Sequence, residues 1–264
     1  MTIVHSVRRQ ARLVLSLLEH PVWAARVARY LVQPPRPSGS RDDREFAEYL
    51  KGCSVALVGP ASTIAGSRQG DRIDGYDRVI RLNHALPIPP HMIEDIGERT
   101  DVLYHHLNLE HPRVPPLKEF TAILLGSVRW ICCTFPYLPG LQSSEWIDAV
   151  RAELHGRLPF RAASLRHYSW LRATMRTSPN GGISAIQDLL RFKIDKLYIT
   201  GFSFFQTNSF YYDGYQGMGP GAHGQQPQIE QVRRWVQRDS RIHMDKAARR
   251  ILFPSQHDSA KELD

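Results

Sequence analysis

The sequence predicts an α/β protein, with a mostly parallel sheet flanked by helices in a single domain. Three observations lead there. Two short apolar runs rich in β-branched residues, Ser54 to Val58 and Arg78 to Leu82, are separated by a small-residue loop from Gly59 to Gly70. A Gly-rich turn at Pro179 to Gly182 opens a helix that carries Ile183, Ile186, Leu189 and Leu190 inward. The next run, Lys196 to Phe202, again reads as a strand and contains Gly201. Strands joined through loops and helices in this way need crossover connections, and crossovers give a Rossmann-like parallel sheet.

The elements follow in order. Val4 to Leu31 reads as two helical pieces broken at Pro21, with Arg8, Arg9 and Arg12 around an apolar face and Trp23 in the second piece. Gln33 to Asp43 is a linker by composition. Residues 1–43 are thus a basic amphipathic helical segment with a Pro-rich linker, and residues 44–264 the main domain. Glu45 to Leu50 is a short helix leading into the first strand. After Asn83 come a Pro-rich loop, the turn Asp95-Ile-Gly-Glu-Arg-Thr-Asp and a strand from Val102 to His105. Phe120 to Leu125 and Arg129 to Cys133 read as two further buried strands. Ser143 to His155 reads as a helix capped by Ser143 or Ser144, and Leu165 to Met175 as another helix. Helices are also expected over Gln228 to Gln237 and Met244 to Leu252.

Composition sets bounds on function. The net charge of +8 suits an acidic partner: a nucleotide, an acidic sugar, nucleic acid or an anionic membrane face. The cationic excess is not interleaved with aromatics on one element, so a nucleic-acid platform is not expected. Three cysteines, two of them adjacent, do not make a disulfide framework and fit a reducing cytosol. No run is long enough to span a bilayer, and a signal-peptide pattern is missing. The expected location is therefore cytoplasmic, with the N-terminal helix a candidate for peripheral contact with the inner face of the membrane. His105, His106 and His111 suggest a metal cluster, but adjacent strand residues point to opposite faces, so no metal is expected there. The first loop also lacks a clean dinucleotide fingerprint, because Gly59, Gly66 and Gly70 are too widely spaced.

Four motifs, in order, resemble those of glycosyltransferase family 29, the sialyltransferases. LVGPASTIAGSRQGDRID, DRVIRLN and DIGERTD are similar to the large sialylmotif and the pieces that follow it. Ser178-Pro-Asn-Gly-Gly with its helix and KLYITGF resembles the small motif, and Phe210-Tyr-Tyr-Asp the third. His223 with Glu230 resembles the very small motif, at a wider spacing. The resemblance implies a GT-A-like variant of the α/β fold in the catalytic domain, residues 44–264. It implies an inverting transfer of a sialic acid or related 2-keto sugar acid from a CMP-activated donor to a glycan hydroxyl, without a metal cofactor. Gly59, Ser62, Thr63 and Asn83 would hold the ribose and phosphate, and Asn180, Gly181 and Gly182 the cytidine side. Tyr211 or Tyr212 would reach the phosphate. His223 would be the general base and Glu230 its orienting partner.

The chain departs from the family where Pro60 and Thr63 replace loop asparagines and Phe210 replaces a histidine. Two other readings therefore stand beside the first: a CMP-Kdo-dependent transferase, and a non-catalytic nucleotide-sugar or glycan-binding module. Arg68, Arg72, Arg81 and Arg99 either meet a sugar carboxylate or pair with nearby aspartates.

Overall fold

The computed structural model describes residues 35–204, 206, 210–211 and 224–254. The N-terminal helical segment, Tyr212 and His223 lie outside the described residues. Seven strands form one sheet: β1 (Ser54–Val58), β2 (Arg78–Leu82), β3 (Val102–His105), β4 (Trp130–Pro136), β5 (Phe160–Ala163), β6 (Lys196–Thr200) and β7 (Ile242–Met244). Their order is β5-β4-β3-β2-β1-β6-β7, and every pair is parallel. From β1 the chain first winds outward to β5, then returns to place β6 on the other side of β1. The β1–β6 junction is thus a switch point, and the crevice beyond the strand ends there is where such sheets bind ligands.

Alternating strand residues separate the two faces. Val55, Leu57, Ile80, Leu82 and Ile199 pack with α1 (Arg41–Leu50), α6 (Leu165–Met175), α7 (Gly181–Leu190), α8 (Gln225–Arg238) and α9 (Lys246–Leu252). On the opposite face Ala56, Val58 and Val79 pack with α2 (Gly70–Asp74) and α3 (Ile93–Ile96). Leu103, Ile131 and Cys133 pack there with α4 (Leu117–Ser127) and α5 (Gln142–Leu154).

Several expectations change. Phe120–Leu125, expected as a strand, lies within α4. A short apolar run does not distinguish a buried strand from a helix, and the buried set Phe120, Thr121 and Leu124 has helical spacing. The expected serine cap of α5 is instead Leu141, with no side-chain bond; the Ser144 hydroxyl donates to the Leu138 carbonyl and accepts from its N–H. The helix expected from Glu45 starts at Arg41, because the Ser40 side chain accepts the Asp43 N–H and caps it. β5 and β7 are edge strands of four and three residues that escape the sequence reading.

A buried ion network clamps the sheet to its helices. Arg161 on β5 binds Asp43 of α1 at 2.7 Å and also Asp188 of α7. Arg191 reaches Asp188 at 2.8 Å and Asp43 at 3.6 Å, and the Tyr104 hydroxyl donates to Asp188 at 2.7 Å. Burial alone would raise the Asp188 carboxyl, but the Arg161 and Arg191 charges override it and hold it far below the ordinary carboxylate value.

Candidate functional site

A cleft of about 620 Å³ opens beyond the carboxyl ends of the central strands. This is a size typical of small-molecule sites. The loop after β1 contributes Pro60 and Ala61, the residues just past β2 Asn83 and His84, the residue just past β3 His106, and β4 itself Thr134 and Phe135. The start of α7 supplies Asn180 to Ser184, and the segment after β6 supplies Gly201 to Phe204. No Lys, Arg, Asp or Glu lines it among the described residues.

At the centre of the cleft, Asn83 meets the start of α7. Asn83 sits in the left-handed region, with φ at 49°, a conformation that asparagine tolerates better than most residues. Its N–H donates to the Tyr104 carbonyl at 2.7 Å, and its Oδ1 accepts the His106 N–H at 3.2 Å. A Cβ at Gly181 would sit in ordinary contact with the Asn83 amide, 3.4 Å from Nδ2, so the helix start and the amide are neighbours; at Gly182 a Cβ would strike the Phe202 ring at 2.7 Å, so the second glycine is required there. Asn180 caps α7: its Oδ1 accepts the Ile183 N–H at 2.9 Å, and its Nδ2 donates to Gln228 Oε1 at 2.7 Å. That side chain is committed to positioning the helix. The first-turn amides at Gly181 and Gly182 are the groups a helix start offers to an anion.

The first loop acts differently from its motif reading. Gly59, Ser62, Thr63 and Tyr211 are not among the residues lining the cleft. A Cβ on Gly59 would strike the Gly201 carbonyl oxygen and the Phe202 ring, so this glycine allows β1 and β6 to close at the switch point. Gly59→Val is expected to cost about 1–3 kcal/mol of stability, read as a shift of the urea unfolding midpoint. Ser62 and Thr63 form a single 3-10 turn with Ile64, with Thr63 exposed. Ala61 bridges Phe210, and the Tyr211 N–H donates to the Pro60 carbonyl at 3.1 Å. The Tyr211 ring is buried beside the Arg81 guanidinium. Burial raises its hydroxyl pKa and the arginine charge opposes that rise.

The candidate arginines serve the scaffold. Arg81 is wholly buried, donating to the carbonyls of Ile96 and Gly97 and to Thr100 Oγ1. Arg99 binds Asp101 at 2.9 Å, Arg68 pairs with Glu94 at 3.1 Å, and Arg72 lies over the Tyr198 ring at 4.6 Å. The acidic residues of the same motif hold backbone: Asp95 accepts the N–H groups of Gly66 and Arg68, and Asp74 those of Glu98 and Arg99. These bonds lock the loop after β1 to the Asp95–Asp101 turn. Glu230 is exposed on α8, accepting from Gln226 Nε2 at 3.2 Å and lying 3.9 Å from Arg234.

Histidines supply what the sequence reading set aside. His84, His106 and His111 line the cleft, with His105 buried behind them. The opposite-faces expectation does not apply, because β3 ends at His105 and His106 lies beyond the pleat; the two rings are 4.7 Å apart. Trp146 of α5 faces the same end of the cleft. Imidazoles just past the ends of β2 and β3 are the signal available in the sequence.

Residues 18–111 match the family model described as glycosyltransferase family 29 (sialyltransferase). This bears out the resemblance over the stretch that carries the first loop, Asn83 and the four histidines of the cleft. No curated protein matches the chain. Among solved structures, a mammalian sialyltransferase in complex with Gal-beta-1-3GalNAc-ortho-nitrophenol is 16% identical, covering 83% of this chain and 78% of that one at a TM-score of 0.49. The sialyltransferase CstII from Campylobacter jejuni in complex with CMP-3FNeuAc is 12% identical, covering 73% and 78% at a TM-score of 0.47.

Proposed function

We propose that this chain, whose residues 18–111 match glycosyltransferase family 29, is a CMP-sugar-dependent glycosyltransferase that moves a sialic acid or related 2-keto sugar acid onto a glycan hydroxyl. One observation carries the reading: Asn83, inside the family-matched stretch, meets the amino end of α7 in a cleft at the carboxyl edge of the sheet. The Asn83 amide and the first-turn N–H groups of Gly181 and Gly182 together suit a singly bridged phosphate. They are neutral, fixed before the ligand arrives, and aimed by the Asn180 cap. CMP carries one phosphate, so a wall without lysine or arginine is adequate for it. Tyr212 completes the donor contacts in this proposal, with Gly59, Ser62, Thr63 and Tyr211 acting through the packing of the first loop.

Attack by the acceptor hydroxyl opposite the CMP leaving group inverts the anomeric centre. As the oxygen attacks, its proton passes to His223, whose neutral imidazole is the general base. Glu230 orients that histidine, and no metal takes part. The acceptor is a glycan or lipid-linked saccharide, and the N-terminal helix holds the enzyme at the inner face of the membrane.

Asn83→Gly tests the donor site without straining the backbone, since glycine adopts positive φ freely. CMP affinity is expected to fall about 10- to 150-fold, the range for losing a hydrogen bond to a charged group, as read by calorimetry. Unchanged CMP affinity in a folded variant would remove Asn83 from the donor site.

A further inference from the structure

Four imidazoles meet at the β3 end of the cleft, and the proposed reaction uses none of them. His84 stacks on His111 at 4.2 Å between ring centroids and meets His105 and His106 edge-on at 5.2 and 5.1 Å. Candidate ligand atoms of His84, His105 and His106 all lie within 4.8 Å of one another, a spacing that suggests a metal centre.

The hydrogen bonds oppose that assignment. The Leu107 N–H donates to His105 Nδ1 at 2.8 Å, the Asn108 N–H to His106 Nδ1 at 2.9 Å, and the Arg113 N–H to His111 Nδ1 at 3.2 Å. A ring nitrogen that accepts an N–H carries no proton, so a neutral ring keeps its proton on Nε2. A metal on Nε2 would need that proton removed, or the ring turned and its backbone bond broken. Burial, and then neighbouring cationic groups, lower all four histidines, His84 to about 3 and His106 to about 4, so the rings are neutral at pH 7. The same tautomer makes His106 and His111 donors rather than proton acceptors, which leaves the general base to another residue.

The rest of this end of the cleft has matching chemistry. Gln142, Ser143 and the half-buried Trp146 of α5 line it beside Phe135, and it lies across β2 and β3 from the β1–β6 junction. Imidazole N–H donors beside an aromatic face suit a saccharide, with N–H groups on the hydroxyls and the indole against the apolar face of the ring; the Gln142 amide N–H donates to Glu110, which leaves the Gln142 Oε1 as the acceptor on this wall. We infer that His106, His111, Gln142 and Trp146 form the subsite for a neutral acceptor saccharide, an inference that rests on the transfer reading above. The Nε2–H groups of the two histidines donate to its hydroxyl oxygens.

The test titrates the CMP-loaded full-length chain with methyl β-galactoside, methyl β-glucoside and N-acetyllactosamine, using saturation-transfer NMR. At least one sugar is expected to bind. Trp146→Ala and His111→Phe should each weaken it about fivefold or more while CMP affinity stays unchanged. Failure of all three sugars to bind a chain that binds CMP overturns the subsite and leaves the donor reading standing. Sugar binding without CMP binding does the reverse. Sugar affinity that neither variant changes also overturns the subsite. Long-range 1H–15N spectra supply a second readout: His106 and His111 should carry the proton on Nε2, and a proton on Nδ1 contradicts the inference.

Discussion

Arg161→Ala is expected to destabilise the chain by about 3–5 kcal/mol, the usual cost of removing one partner from a buried ion pair. Asp43 and Asp188 would keep only Arg191 as a cationic partner, and both carboxylates are almost wholly buried. The loss would free α1 from β5 and loosen α7, whose amino end forms the cleft. Urea unfolding followed by far-UV circular dichroism reads the effect, and Arg161→Lys should recover part of it by restoring the charge without the guanidinium fork. The network also sets a response to acid. The Asp188 carboxyl is lowered in the fold, so its contribution is complete above the ordinary value of 3.8 and is lost as pH falls below it. Wild-type stability should therefore drop below about pH 4, and Arg161→Ala should show a shallower fall over that range.

His223→Ala is expected to lower transfer by about 10²- to 10⁴-fold, the usual contribution of a positioned proton acceptor, and to leave CMP affinity unchanged. Among the described lining residues there is no carboxylate, and His106 and His111 each accept a backbone N–H on Nδ1. Glu230→Gln should cause a smaller loss, since that carboxylate is bonded to Gln226 and lies close to Arg234. Steady-state kinetics with a CMP-activated sugar acid separate the outcomes. A His223→Ala variant with normal transfer would take the base away from that position.

The sequence reads most clearly where the chain is buried on both sides. β1, β2 and β3 fall at the residues their apolar runs mark, because a central parallel strand has no solvent face to break the pattern. β5 and β7 escape because edge strands are short and carry polar residues, here Arg161 and His243. Phe120–Leu125 misleads because a run this short, apolar but for Thr121, fits either period. At the site, Asn83, Gly181 and Gly182 are legible because they stand where a strand stops and a helix starts. Arg81 and Arg99 look like anion ligands in the sequence, yet the structure spends them on carbonyls and on Asp101. No local pattern reveals the Arg81 contacts, because Ile96 and Gly97 lie fifteen and sixteen residues away, whereas the Arg99 pairing is only two residues off. The histidines escape for a related reason: four rings from β2, β3 and the following loop meet only after folding.

The central claim is that this cleft holds and turns over a CMP-activated sugar acid. CMP release from CMP-N-acetylneuraminate and from CMP-Kdo, followed with and without saccharide acceptors, tests it most directly. The expected result is release from at least one donor, slow alone, faster with an acceptor, and reduced in Asn83→Gly. CMP binding with no release from either donor would contradict the claim and leave a nucleotide-sugar-binding module in its place.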